Sequence, residues 1–221
     1  MTLIEVLVVI IVVATMAVLL LPALLSHPHG RHPIDCANNL KQVGLAYRIW
    51  AGDNNEKYPM EVSIRNGGAM EPATTGNAVA VFEVMSNELS TPRILICPQD
   101  QIRLPAATNF SDSQLKNKIS YFVGLDATEA QPQMILSGDD NFTIDGVPAR
   151  SGLVQFSTNA NIAWTSGRHI ADKAHFWSSA KYYGNISLAD GSVQSFTSHG
   201  LDSATTYSTT TNRTAIRFVI P

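Results

Sequence analysis

Three aspartates, Asp139, Asp140 and Asp145, stand close together in the string Gly138-Asp139-Asp140-Asn141-Phe142-Thr143-Ile144-Asp145-Gly146. Carboxylates at that density are the ligands calcium takes, but the alternating acid spacing of an EF-hand loop is missing, so a polar turn is the competing reading. His27, His29 and His32 form a second cluster. Imidazoles ligate metals and gain charge near pH 6.5, yet nothing beside these three supplies the fixed geometry a metal site needs. A polar linker is the plainer reading. The remaining histidines, His169, His175 and His199, have no nucleophile motif next to them, and Gly-x-Ser-x-Gly, His-Glu-x-x-His and phosphate-loop patterns are absent. No catalytic constellation emerges, and the chain reads as a non-enzyme whose one candidate cofactor is calcium. Surface modification has its own candidates. Ser203–Thr211 is rich in hydroxyls, with Ser208, Thr209, Thr210 and Thr211 as O-glycan acceptors and a solvated loop as the alternative. Asn-x-Ser/Thr sequons begin at Asn109, Asn141, Asn185 and Asn212, each weak evidence alone.

The acid with the strongest context is Glu5. From Leu3 to Leu21 it shares the chain with a single other polar residue, Thr15. Such a run, about 28 Å long as a helix, suffices for a bilayer core. A helix apolar on every side must be buried on every side. A secretory signal peptide would show a basic start and a shorter apolar stretch; here the first basic residue is Arg31. A plain membrane anchor would not keep an acid that costs about 2.5–3.5 kcal/mol to insert. With 15% charged residues and a net charge of −3, the chain also lacks the basic surface that nucleic acid requires.

The stretch Met1-Thr2-Leu3-Ile4-Glu5-Val6-Leu7-Val8-Val9-Ile10, with Pro22 closing the apolar segment, resembles the mature N-terminus of type IV pilins and type II secretion pseudopilins. The resemblance implies cleavage by a prepilin peptidase, N-methylation of Met1 and an assembly role for Met1, Glu5 and Pro22. In that reading Glu5 pairs with the α-amine of a neighbouring copy. It further implies a homo-oligomeric helical filament, held at the inner membrane before pilus assembly machinery builds it into an extracellular fibre. Two alternatives stand beside the pilus: a periplasmic pseudopilus of a type II secretion system, and a membrane-tethered binding or hydrolytic domain that borrows the N-terminus for export. The segment from Cys36 to Pro59 is similar to a subgroup of pilin-like proteins marked by a C-terminal His nine residues before Asp-Gly. Here that His would fall at Ala180, so the signature is incomplete. Export implies an oxidising environment, in which Cys36 and Cys97, the only cysteines, are expected to form a disulfide, with two free thiols as the alternative.

The elements that would carry these residues follow from pattern. An assembly or transmembrane helix is expected over 1–21, an extended Pro/Gly/His linker over 22–34, and a globular head over 35–221 of the α+β pilin fold. Asp35 reads as an N-cap. Cys36, Leu40, Val43, Tyr47 and Trp50 trace one stripe of an amphipathic helix meant for an antiparallel sheet. A second helix is expected from Ala78 to Leu89. Strands are expected at Ile94–Cys97, Ile119–Val123, Met134–Leu136, Leu153–Phe156, Ile162–Trp164 and Ile216–Ile220. Asp190-Gly191 should turn a hairpin between Asn185 and Phe196, and Asn159–Tyr183 reads as a variable insertion.

Overall fold

A computed structural model of the chain describes residues 3–25, 32–100, 102–157, 159–165, 183–207 and 215–221. It separates into two units, Met1–Arg31 and His32–Pro221. The first holds helix α1 (Leu3–Leu25). Its large apolar residues from Leu3 to Val18 are 44–84% exposed, and Thr15 Oγ1 donates to Val12 O at 2.8 Å, satisfying its hydroxyl within the helix. The helix was expected to stop near Pro22, but its backbone runs on to Leu25. A proline inside a helix removes one backbone hydrogen bond, a cost of about 3 kcal/mol that long apolar flanks can absorb. The expected membrane span is not found: among the described residues no helix is long and apolar enough to cross a membrane.

The second unit opens with α2 (His32–Asp53), so the expected linker shrinks from both sides and Asp35 lies in the first turn instead of capping it. Pro33 is tolerated there because a first-turn N–H has no intrahelical acceptor, and Asp35 complements the positive end of the helix dipole. The predicted stripe is the buried one: Cys36, Leu40, Val43, Tyr47 and Trp50 are at most 6% exposed. Short helices follow: α3 (Met70–Thr74), α4 (Ala78–Val84) and α5 (Ser86–Leu89). The last two replace the single helix expected over 78–89.

Nine strands come next among the described residues: β1 (Tyr121–Gly124), β2 (Ile135–Asp139), β3 (Phe142–Ile144), β4 (Val147–Pro148), β5 (Gly152–Ser157), β6 (Ile162–Trp164), β7 (Tyr183–Leu188), β8 (Val193–Thr197) and β9 (Ala215–Ile220). Helix α6 (Ser198–Tyr207) lies between the last two. Six strands form an antiparallel sheet in the order β5-β9-β1-β2-β7-β8, and β4-β3-β6 form a smaller one. The fold is α+β, as expected. Ile94–Cys97 is not a strand: Pro92–Leu95 is a 3₁₀ turn, started by Pro92 and by Thr91, whose hydroxyl accepts from Arg93 N. The Asp190-Gly191 hairpin is present, with Gly191 at φ 82°.

Side chains alternate across the large sheet, as the period of two requires. Tyr121, Val123, Leu136 and Val219 join the core beneath α2. Phe122, Ile186, Leu188 and Phe218 join a second core beneath the small sheet and α6. That second core is aromatic: Phe122 stacks on Phe218 at 4.3 Å, and Phe142 meets both edge-on. Two glycines set the spacing of these layers. A Cβ on Gly44 would lie 2.6 Å from Ser187 Oγ, so its absence lets α2 sit against β7. A Cβ on Gly184 would lie 2.6 Å from the Trp164 ring, which occupies that space.

Candidate functional site

Glu5 lies in the first turn of α1, on a surface otherwise apolar from Leu3 to Val18 except for Thr15, and it is exposed along with its neighbours. An acid there complements the helix N-terminus. Pro22 lies within α1, while Met1, the other expected assembly residue, falls outside the described residues. His27 and His29 fall outside them too, and His32 starts α2.

At the opposite end of the charge scale is a buried ionic network. Arg103, with its side chain 9% exposed, reaches Asp140 at 2.6 Å and Asp100 at 3.5 Å. Asp100 also accepts from Ser120 Oγ at 2.8 Å and from Ile102 N at 3.3 Å. Ser120 Oγ in turn accepts from Cys97 N, and Ser120 O from Asp140 N, both at 3.1 Å. Asp139 points elsewhere: its Oδ2 accepts from Asn185 N at 2.7 Å and Asn185 Nδ2 at 3.0 Å, and Asn185 Oδ1 accepts from Ser195 Oγ at 2.6 Å. Nearby, the fully buried Tyr121 hydroxyl has its pKa raised well above the usual tyrosine value, first by desolvation and then by the negative charge of Asp139.

The three calcium candidates are thus held by different partners: Asp140 by Arg103, Asp139 by Asn185 and Asp145 by Asn161 N. Asp139 and Asp140 are strand-end residues committed to protein donors, and Asp145 sits at φ 50° in the exposed turn between β3 and β4. Asp145-Gly146, both at positive φ, is the two-residue hairpin turn that Asp-Gly favours. Among the described residues no group of His, Cys, Asp and Glu is arranged to hold a metal. Arg103 escaped sequence reasoning, since nothing local ties it to an acid 37 positions away.

Cys36 and Cys97 form the expected disulfide, with Cα atoms 4.8 Å apart. It pins the start of α2 to the loop that carries Asp100 and Arg103, and Asn39 Nδ2 donates to Ile96 O beside it at 3.0 Å. The O-glycan candidates Ser208, Thr209, Thr210 and Thr211 lie outside the described residues, while Ser203 belongs to α6 and not to a loop. Of the four sequons, Asn141 and Asn185 are buried, so in the folded chain neither can carry a glycan.

The comparisons with known proteins are negative. No family model, curated protein or solved structure matches this chain. What remains is geometry: an exposed apolar helix with one acid, and a disulfide-pinned head. Cavities open among the described residues of that head. One of about 460 Å³ lies beside Asn77, Ser113 and Lys116. Another of about 420 Å³ lies between β8 and α6.

Proposed function

We propose that this chain is a structural subunit of a type IV pilus-like filament, polymerising through α1. The observation that carries the proposal is the exposure of α1. Twelve large apolar residues between Leu3 and Val18 are open to solvent in a single chain. Burying such side chains is worth on the order of 1 kcal/mol each even when partial, so their sum far exceeds the stability of an ordinary domain contact. Packing against the same helix of other copies supplies that burial along the whole circumference, and inner-membrane lipid shields the helix before assembly.

Glu5 sets the axial register in this scheme. A carboxylate in an apolar stack favours the one arrangement that brings it to the α-amine of a neighbour, since buried ion pairs specify alignment better than they stabilise. Thr15, already bonded to Val12 O, imposes no such demand. The protein's task is then mechanical, and the cystine that pins the head suits an oxidising exterior.

The test is expression of the Glu5→Gln chain in its native host, with electron microscopy of sheared surface material. The expected result is a folded, disulfide-bonded head and no filaments. Normal filaments from that variant would overturn the register role, and the absence of filaments from the unaltered chain would overturn the pilus reading in favour of the periplasmic pseudopilus.

A further inference from the structure

The cavity between β8 and α6 has a composition that the filament reading does not use. Its floor is apolar: Leu188 belongs to the second core, and the half-buried Phe196 packs against that core. Its polar groups are two carboxamides and one hydroxyl, Gln133, Gln194 and Ser203. Among the described residues, none that lines it carries a charged side chain. At about 420 Å³ it falls in the range of small-molecule sites, about 300–1,000 Å³.

The walls are fixed by their surroundings. Phe196 and Gln194 stand on β8 opposite Gly184 and Ile186 of β7, which sets their direction on the sheet face. On the other side, a Cβ on Gly200 would lie 2.9 Å from the Phe196 ring, so α6 packs directly on the aromatic. The helix is held in place at its start, where Ser198 Oγ accepts from Trp164 N at 3.0 Å. The Ser203 hydroxyl donates to His199 O at 3.1 Å, which leaves its oxygen able to accept. Gln133 and Gln194 are exposed at the mouth, and each carboxamide offers both donors and an acceptor.

A charged ligand would lose water here without meeting a countercharge. A purely apolar ligand would use the Phe196 and Leu188 floor but none of the three polar groups around it. An uncharged ring bearing hydroxyls matches both halves of the lining: its C–H faces meet Phe196 and Leu188, and its hydroxyls meet the two glutamines and Ser203. We infer that this cavity is a binding site for an uncharged sugar.

Saturation-transfer NMR on the full, unassembled chain in detergent tests the site, with cellobiose, maltose and N,N′-diacetylchitobiose as uncharged probes. Glucuronate and glucosamine serve as charged controls, and phenol as an apolar ring. The expected result is transfer to at least one uncharged disaccharide in preference to the controls. Gln194→Ala, at an exposed position, and Ala204→Leu, which fills the cavity, should each weaken binding roughly fivefold or more without shifting the thermal midpoint of the head. No transfer to any uncharged sugar would overturn the inference. So would a preference for phenol or a charged control, or binding unchanged in both variants. Because the chain is unassembled in this experiment, the outcome is decided separately from the filament reading.

Discussion

Helices α1 and α2 are nearly equal in length, 23 and 22 residues, and opposite in how they use their apolar side chains. α2 places Cys36, Leu40, Val43, Tyr47 and Trp50 on one face, and the sheet of the same chain buries them. α1 has no such face. Its apolar residues surround the axis and stay exposed from Leu3 to Val18. The first pattern completes a fold, whereas the second leaves burial to other molecules. One chain thus contains a finished part and an unfinished part, and identical chemical changes in the two should have unlike consequences.

The largest effect comes from placing the same charge in each. Val43→Asp puts an unpaired carboxylate at a position that is 0% exposed, and the expected loss exceeds about 4 kcal/mol, enough to unfold the head by circular dichroism. Val9→Asp alters an exposed residue. It should leave the head's thermal midpoint unchanged and, if α1 assembles as proposed, abolish filaments in micrographs. Equal destabilisation of the head by both variants would break the comparison. Next in size is the cystine. On the loop-entropy model, a bridge spanning 61 residues contributes about 4 kcal/mol. Cys36→Ser with Cys97→Ser should lower the denaturant midpoint of the head accordingly and leave the helicity of α1 untouched. Arg103→Leu follows, at about 3 kcal/mol, because Asp100 and Asp140 lose the cation between them. Adding Asp140→Asn to that variant should recover part of the loss in the same denaturant titration. An additive further loss would show that the ion pair is not what binds the loop.

Local pattern made part of this structure legible. The stripe of α2 could be read because a period of 3.6 residues is a property of neighbours, and the β7–β8 hairpin because Asp-Gly constrains its own turn. Asp139 and Asp140 read as a polar turn or calcium ligands because their burial depends on Arg103 and Asn185, which the fold brings from 37 and 46 positions away. The stretch Ser203–Thr211 read as a hydroxyl-rich loop because serine and threonine are weak helix formers. Tertiary contact decides otherwise, with Leu201 and Thr205 buried in α6 at 1% exposure each. At Ile94–Cys97 the apolar run suggested a strand, but Pro92 had already fixed the local dihedral for a helical turn. The candidate residues split in the same way: Glu5 and the cystine are visible as isolated sequence features, while the cavity beside Phe196 needs β8 and α6 in place before it exists.

The smallest effect separates the two regions by pH. Tyr47, Tyr58 and Tyr121 are buried in the head, and burial raises all three hydroxyl pKa values. No tyrosine occurs in α1. A tyrosine whose folded pKa lies above its unfolded value of about 10 favours folding while protonated, so its contribution is complete below pH 10 and declines above it. The decline is about 1.4 kcal/mol per pH unit for each tyrosine that the unfolded chain ionises and the folded chain does not. Heading into alkali, the head should therefore lose stability with a slope near three protons, and the tyrosinate absorbance of these three should rise only as the head unfolds. Tyr121→Phe gives up the hydroxyl's 3.3 Å hydrogen bond to Cys36 O, at a cost of about 1 kcal/mol near neutrality. It should also remove one proton from the alkaline slope, so that the variant and the parent converge as pH rises. Parallel stability curves for the two would mean that Tyr121 ionises in place, and that the core beneath α2 admits water that the apolar stripe should exclude.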